Sequence, residues 1–490
     1  MDLTYQPLRS FDAAPARSGA LFLHVFGVLL LGYALLGRTV AYVGMPPLYI
    51  GEVVLALGLV SALRTPALRR VMTTSPFIFL ALLMGLALVR TVPYFVTHGL
   101  DAARDAMQLG YGLFAFIMAA LLLEQPERLR DIVRRYRRFV LVMLALVWVA
   151  YLVSKLFEES IPFLPWTDSA RLVEVKAGDL MVHLAAITVF LMVGLMRLRP
   201  LAVLALAFTV GIVIVSSRAG MVAYGLAVGT AWLLRPATAK PGRIAAGFVL
   251  VLALGLAAGP VVAVNSGERD VSVEQLWQNV TSVFVESGTD TLDGSTEWRK
   301  AWWSRIVDYT ITGPHFWTGR GFGINLAKVD GFSVSEDESL RSPHNGHLTI
   351  LARMGVPGFA LWTLLQLVWL ASMLHAWFRA RLAQQHTWTG LFALLIAYWL
   401  AMTVNASFDV YLEGPMGGIW FWTVWGIGLA AAQLHRTHPA LFEDPDAESE
   451  ITPPVRRHRW TWAPQTSERP ASSSASPAWS WPRESSTPSV

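Results

Sequence analysis

Three short polar clusters interrupt an otherwise apolar chain, and each holds a side chain suited to chemistry on an anionic substrate. Arg218 lies in Ser-Ser-Arg-Ala-Gly, Arg299 in Thr-Glu-Trp-Arg and His344 in Ser-Pro-His-Asn-Gly-His. Arginine binds phosphate groups through two parallel hydrogen bonds. A neutral histidine accepts a proton from a hydroxyl group. Together these residues predict transfer to a hydroxyl from a membrane-bound, phosphate-activated donor, and their spacing does not identify a sugar.

The first cluster is a tight turn between two apolar runs, with Ser217 directly before Arg218. The turn is barely long enough to leave a bilayer, so the arginine is expected at the interface. A cation there is costly unless it pairs with something, which makes it a functional candidate. The structural alternative is an arginine that extends to lipid phosphates.

The second cluster predicts a loop helix that begins at Ser295, a residue type common at helix N-caps. Apolar residues recur at helical spacing around Trp302, and Arg299 lies one step from that stripe. The alternative for Arg299 is a surface salt bridge with Glu297 or Asp308.

The third cluster predicts a short helix capped by Ser342 and ended at Gly355, with His344 in its first turn. The positive end of a helix disfavours an imidazolium, so His344 is expected to stay neutral. His347 lies one turn further on, where a structural role is the simpler interpretation. Two histidines without a third ligand are a weak metal signal, and no metal site is predicted.

The amino-acid composition indicates what kind of structure holds these clusters in place. The chain is 54% hydrophobic and 15% charged, with a mean hydropathy of +0.47. A water-facing globule needs more polar cover, so the sequence predicts an all-α integral membrane protein. The net charge of +5 does not indicate a nucleic-acid partner, because the arginines lie in short loops between apolar runs. The absence of cysteine excludes disulfides, a cysteine nucleophile and cysteine-ligated metals.

About twelve apolar runs are long enough to suggest spanning helices. They lie near 20–36, 40–63, 76–89, 109–123, 139–156, 180–196, 201–216, 221–234, 244–264, 356–377, 388–404 and 416–434. Arginine and lysine collect in alternate loops, which predicts cytoplasmic termini and places all three clusters on the extracytoplasmic side.

The predicted organisation has five parts: a cytoplasmic N-terminus at 1–19, helices at 20–264, a large periplasmic loop at 265–343, a short helix with three spanning helices at 344–435, and a tail at 436–490. The tail is rich in proline and serine and is expected to be disordered. Glycines at 319–323, which surround Arg320, are interpreted as turn formers, because no strand precedes them as a phosphate-binding loop requires.

These clusters resemble those of the O-antigen ligase and polymerase family of bacterial inner-membrane proteins. The likeness rests on Ser-Arg-Ala-Gly at 217–220, on Arg299 with the tryptophans that follow it, and on the glycines at 319–323. His344-Asn345 then opens the pattern His-Asn-x-x-Leu-x-x-Leu-x-x-x-Gly-x-x-Gly, which ends at Gly358. The order of the clusters, the long loop and the helix layout extend the resemblance over most of the chain, except the tail.

The resemblance implies a metal-independent, inverting glycosyltransferase without a cofactor, located in the inner membrane. Its donor would be an undecaprenyl-diphosphate-linked glycan, and a ligase would use the sugar core of lipid A as acceptor. Arg218 and Arg299, with Arg320 as a weaker addition, would hold the donor pyrophosphate. His344 would activate the acceptor hydroxyl, supported by Ser217, Asn345 and His347.

Three alternatives stay open. A polymerase of the same family would use a second lipid-linked glycan as acceptor, and a protein O-oligosaccharyltransferase is a further variant. A polysaccharide or lipid transporter is the alternative of another class, since isolated polar residues occur within apolar runs: Glu52, Asp179, His183 and Asn405. The oligomeric state cannot be inferred from the sequence.

Overall fold

The computed structural model describes residues 17–45, 48–167, 170–197, 199–242, 244–250, 264–266, 269–271, 290–333 and 340–443. Within these ranges the chain is almost wholly helical. The helices are α1 (Arg17–Leu36), α2 (Arg38–Ala41), α3 (Ile50–Leu63), α4 (Ala67–Met72), α5 (Ser75–His98), α6 (Leu100–Gly110), α7 (Leu113–Glu124), α8 (Glu127–Leu156), α9 (Ala177–Met192), α10 (Pro200–Ile214), α11 (Arg218–Leu234), α12 (Asp290–Val307), α13 (Leu326–Asp330), α14 (Gly346–Leu382), α15 (His386–Ala406) and α16 (Pro415–Thr437). Residues 244–250 are also helical.

Shorter elements fill some of the connections. Strand β1 (Gly44–Met45) pairs antiparallel with β2 (Leu48–Tyr49), and β3 (Val264–Ser266) pairs antiparallel with β4 (Arg269–Val271). Single turns of 3₁₀ helix occupy Glu158–Ser160 and Pro439–Phe442, and a π-helical turn follows α12 at Asp308–Thr312.

Within the described residues, six helical segments are long and apolar enough to cross a membrane: Gly19–Leu36, Ser75–His98, Leu100–Glu124, Glu127–Leu156, Gly346–Leu382 and His386–Ala406. This finding supports the predicted all-α membrane fold. Three of the other predicted spans correspond to shorter apolar helices, α3, α9 and α10. The run predicted at 244–264 lies largely outside the described residues, as do residues 1–16 and most of the tail, 444–490. The total of about twelve spans therefore stays a prediction.

The core of the bundle forms where helices are apolar on every side. Nine consecutive residues of α7, from Phe114 to Leu122, are buried, as expected for a helix without a polar face. Helix α7 packs against α16, and α9, α11 and α15 pack against one another. Large aromatic side chains from α14 and α16, such as Trp369, Trp422 and Trp425, are fully buried in this core.

Helix α14 is interrupted at Gly355, the residue at which the sequence predicts the end of a short helix. Gly355 has φ 68° and ψ −170°, and a Cβ atom there would lie 2.4 Å from the carbonyl oxygen of Phe316. Only glycine adopts this backbone without strain. The first part of α14 forms a small core with the loop helix α12, in which Trp302 and Leu351 are buried. His344 therefore lies between the bundle and the segment at 290–333, which contains α12 and α13 and is called the loop region below.

Candidate functional site

His344 lies directly before α14, at a backbone position that non-glycine residues rarely adopt. Its φ is 50°, in the left-handed region. The predicted cap at Ser342 is wrong: the cap is Asn345, whose side-chain oxygen accepts hydrogen bonds from the backbone N–H groups of His347 and Leu348, both at 3.1 Å. This amide oxygen satisfies the first free donors of the helix, so the helix begins at Gly346 and His344 precedes it.

Neighbouring elements hold this strained backbone in place. The indole N–H of Trp303 on α12 donates to the carbonyl oxygen of Pro343 at 2.8 Å. On the other side, the amide of Gln108 on α6 donates to the carbonyl oxygen of Gly346 at 3.0 Å. A strained conformation persists only when its surroundings fix it, and such positions concentrate at functional sites.

A carboxylate from the loop between α15 and α16 faces the imidazole. Asp409 Oδ1 lies 3.5 Å from Nδ1 of His344, whose side chain is 30% exposed. The ammonium group of Lys176 lies 3.4 Å from Oδ2 of the same carboxylate. Burial alone would raise the pKa of Asp409, but the neighbouring imidazole and the charge of Lys176 outweigh it and hold that pKa below its usual value. Asp409 is therefore an anion beside His344 at neutral pH.

A second acidic residue, Asp179, lies near both Asp409 and Lys176. Asn405, which is fully buried at the end of α15, donates from its side-chain amide to Asp179 Oδ1 at 3.2 Å. The pKa of Lys176 is raised, since the charges of Asp409 and Asp179 outweigh the effect of its burial. Lys176 thus carries a positive charge between two carboxyl groups.

Arg299 reaches the same loop from α12. Its Nη1 donates to the carbonyl oxygen of Phe408, the residue before Asp409, at 3.3 Å. The helix itself begins at Asp290, five residues before the predicted cap Ser295, whose side chain lies outside the described atoms. The structure therefore brings Arg299 and His344 to one loop, which spans residues 407–414.

Arg218 is the first residue of α11, and Ser217 caps that helix. The hydroxyl oxygen of Ser217 accepts a hydrogen bond from the backbone N–H of Gly220 at 3.0 Å. A Cβ atom on Gly178 would lie 3.3 Å from this hydroxyl and 3.0 Å from the side-chain oxygen of Asn405. The missing side chain of Gly178 lets the ends of α9, α11 and α15 meet, which places Arg218 at the same end of the bundle as Asn405.

His347 makes contacts that account for both of its ring nitrogens. Nδ1 accepts a hydrogen bond from the indole N–H of Trp362 at 3.1 Å, and Nε2 lies 3.0 Å from the carbonyl oxygen of Thr403. With Nδ1 as acceptor, Nε2 carries the proton and donates it to that carbonyl. His347 thus ties α14 to α15, as the structural interpretation of this residue predicts.

Arg320 is held by contacts within the loop region. Its Nη2 lies 2.9 Å from the carboxylate of Asp330, which is fully buried, and its guanidinium lies 4.3 Å from the ring centroid of Tyr309. The indole N–H of Trp302 also donates to Asp330, at 2.9 Å. The structure thus places Arg320 in a buried ion pair of the loop region, and shows no contact between it and His344 in the described part of the chain.

The glycines around Arg320 form turns, which agrees with their interpretation from the sequence. Gly319, Gly321 and Gly323 all have positive φ values, of 58°, 89° and 89°. The backbone N–H of Gly321 donates to the carbonyl oxygen of Arg353 at 3.0 Å, which ties the turns to α14. Asp105 on α6 accepts from the N–H of Gly323 at 2.9 Å and forms an ion pair with Arg353 at 2.9 Å.

Sequence reasoning missed Asp409 and Lys176. Both lie in short polar connections, and nothing in the spacing links them to His344. A signal did exist in Asp179 and Asn405, which stand out as polar residues within apolar runs and which the structure places beside these two. Among the described residues, no group of three histidine, aspartate or glutamate side chains is arranged to hold a metal ion.

The arrangement has the parts of a general-base site. Asp409 favours the imidazole tautomer with the proton on Nδ1, which leaves Nε2 of His344 as the acceptor for a proton from a hydroxyl group. Arg299 on α12 contacts the same loop, and Arg218 begins α11 at the same end of the bundle. Guanidinium groups suit a phosphorylated substrate.

Most residues of this site lie in a stretch of the chain that is similar to a known protein family. The family model described as O-antigen ligase matches residues 201–363, whereas no curated protein matches the chain. The matched segment contains Ser217, Arg218, Arg299, Arg320, His344, Asn345 and His347. Residues 201–363 are thus similar to O-antigen ligases, and this match supports the resemblance to the O-antigen ligase and polymerase family.

Proposed function

We propose that the protein is a glycosyltransferase of the inner membrane that moves a glycan from undecaprenyl diphosphate to an acceptor hydroxyl on the periplasmic side. The observation that carries the proposal is the position of His344. It is held in a strained backbone conformation, with Asp409 at Nδ1, at the loop that Arg299 also contacts. A base oriented in this way next to phosphate-binding side chains suits transfer from a diphosphate donor.

The reaction is a single displacement at the anomeric carbon of the donor sugar. Nε2 of His344 takes the proton of the acceptor hydroxyl as its oxygen attacks. A new bond forms between this oxygen and the anomeric carbon, while the bond from that carbon to the phosphate oxygen breaks. The electron pair leaves with undecaprenyl diphosphate, so attack from the opposite face inverts the configuration.

Arg218 and Arg299 bind the diphosphate and stabilise the negative charge that develops on it. The family resemblance implies that these guanidinium groups, rather than a metal ion, supply that charge. Arg218 stands at the N-terminus of α11, where the partial positive charge of the helix also favours an anion. Ser217 and Asn345 act by capping α11 and α14, which fixes the residues next to them.

Ligases and polymerases of this family differ in the molecule that accepts the glycan. We propose ligation to the core of lipid A as the first candidate, with polymerisation of lipid-linked glycan as the alternative. Both use the same donor and the same base, and no described contact favours either one. A transporter is a weaker candidate, because two of the polar residues that suggested it, Asp179 and Asn405, lie near Asp409, which contacts His344.

The deciding experiment uses the purified full chain and an undecaprenyl-diphosphate-linked glycan. One reaction contains lipid A-core and another contains only more donor, and the products are sized on a gel. Glycan on lipid A-core identifies a ligase, and a ladder of longer lipid-linked chains identifies a polymerase. If neither product forms while labelled glycan enters sealed vesicles that contain the protein, the transferase proposal is wrong.

A further inference from the structure

A crevice opens at the end of the bundle opposite His344. Helix α14 begins beside His344, and α16 begins directly after the loop at 407–414, which we call the Asp409 loop. Arg379 and Arg436 lie at the opposite ends of these two helices, in their last turns. Both arginines line the crevice, together with the first turn of α5 and the end of α7. We refer to it as the Arg379–Arg436 crevice.

The mouth of this crevice is positively charged. Arg379 and Arg436 are exposed and form no ion pair with any residue that the structure describes, and no described acidic side chain lines the crevice. His375 and Gln433 add further polar groups. The α5 N-terminus also contributes partial positive charge at this point. An anion is the complementary ligand.

A buried histidine adds an independent observation. His435 lines the crevice and is only 6% exposed. Its Nε2 lies 2.6 Å from the side-chain oxygen of Gln385, so Nε2 carries the proton and Nδ1 is an acceptor. Nδ1 is buried and has no hydrogen-bond partner among the described residues. A buried acceptor of this kind is costly unless a donor such as a hydroxyl group reaches it.

The inner wall of the crevice is apolar. It consists of side chains from α7, α14 and α16, among them Leu123, Val368, Ala371 and Leu429. A free phosphate ion would gain nothing from this wall, whereas an acyl chain would bury its surface there. Basic pockets between membrane helices are suited to anionic lipid headgroups.

We propose that the Arg379–Arg436 crevice binds one anionic phospholipid that carries a hydroxylated headgroup, as phosphatidylglycerol does. The phosphate lies between the two arginines, a headgroup hydroxyl donates to Nδ1 of His435, and an acyl chain follows the apolar wall. The site is separate from the transfer chemistry and does not depend on it.

The test is a titration of the purified full chain with phosphatidylglycerol or phosphatidylcholine of identical acyl chains, followed by native mass spectrometry. The wild-type chain should bind one phosphatidylglycerol about tenfold or more tightly than phosphatidylcholine, since each arginine near a phosphate contributes about a factor of five. In the double variant Arg379→Gln, Arg436→Gln this preference should fall to about twofold or less. The control is Arg64→Gln, Arg69→Gln, which removes the same charge from exposed positions outside the crevice and should keep the preference.

A second variant separates a lipid from a free anion. Ala371→Phe fills the apolar wall without changing any charge, and it should weaken phosphatidylglycerol binding about tenfold because the acyl chain loses its place. Inorganic phosphate at millimolar concentration should not compete. The proposal is overturned if the wild-type chain shows no preference, if the arginine double variant keeps it, if Ala371→Phe binds normally, or if inorganic phosphate displaces the lipid.

Discussion

The carboxylate of Asp409 lies 3.5 Å from Nδ1 of His344, although one residue precedes α14 and the other precedes α16. The contact orients the imidazole and leaves Nε2 as the nitrogen that would accept the hydroxyl proton in the proposed reaction. Lys176 neutralises part of the carboxylate charge from the opposite side, at 3.4 Å. Three chain segments therefore meet at this carboxylate: those of His344, Asp409 and Lys176.

Replacing His344 with alanine should abolish transfer, because no other described imidazole contacts Asp409. Removal of a general base costs about 10²–10⁴ in rate. The measurement is glycan transfer per amount of purified, membrane-inserted protein. His386→Ala is the matched control, since His386 is exposed at the other end of the bundle, and it should leave the rate unchanged. Near-normal transfer by a well-expressed His344→Ala protein would remove His344 from the catalytic role.

Asp409→Asn should lower kcat by about tenfold or more with little change in the KM for the donor, because the amide no longer favours the proton on Nδ1. Asp409→Glu should recover part of the loss, since it restores a carboxylate near the ring. Steady-state kinetics of both variants give the answer, with the exposed Asp308→Asn as control. A rise in KM with an unchanged kcat would show that Asp409 acts on donor binding instead.

The arginines should not tolerate lysine. Arg218→Lys and Arg299→Lys should each reduce kcat/KM by about 10–100-fold, because a point charge replaces a group that binds phosphate through two parallel hydrogen bonds. Arg305 lies exposed on the same helix as Arg299, so Arg305→Lys is the control and should be fully active. Full activity of both Arg218→Lys and Arg299→Lys would argue against bidentate binding of the diphosphate.

Sequence patterns predicted the apolar helices and the clusters around Arg218, Arg299 and His344, because hydrophobic runs and arginine-histidine chemistry are local properties. They did not predict the contacts with Asp409 and Lys176, since these depend on how distant loops meet at one end of the bundle. Ser342-Pro343 is a common helix start and predicts a cap at Ser342, yet the side-chain amide oxygen of Asn345 takes that role. Ser342 and Asn345 are both residue types that cap helices. The backbone between them is held by Trp303, which contacts Pro343, and by Gln108, which contacts Gly346; neither contact can be read from the local sequence.

Arg320 should matter for stability more than for chemistry. Arg320→Gln leaves the fully buried carboxylate of Asp330 without its ion-pair partner, which costs about 3–5 kcal/mol of the free energy of unfolding. The double variant Arg320→Gln, Asp330→Asn removes both charges and should recover much of the loss. The measurements are thermal unfolding in detergent and transfer activity per folded protein. If the double variant is stable but inactive, Arg320 binds the donor as the family resemblance implies.

Glu413 provides a prediction about pH. It is half-buried in the loop at 407–414, and its carboxyl group accepts a hydrogen bond from the hydroxyl of Thr349 at 2.8 Å. Burial raises its pKa above the usual value of 4.5, although this hydrogen bond and the charge of Arg353 oppose the shift. A carboxyl group with a raised pKa in the folded state contributes stability below its unfolded pKa, and that contribution is lost as the pH rises through the folded pKa.

Glu413→Gln keeps a neutral acceptor for Thr349 at every pH, so it should raise the unfolding temperature at pH 8 by about 1–3 °C and change it less at pH 5. Thermal unfolding of the purified chain at both values measures the difference. Glu297→Gln is the control, because Glu297 is exposed and its replacement should not alter the pH dependence. If Glu413→Gln instead destabilises the protein more at pH 8 than at pH 5, the ionised carboxylate is required in the folded state, and its attraction to Arg353 outweighs the cost of burial.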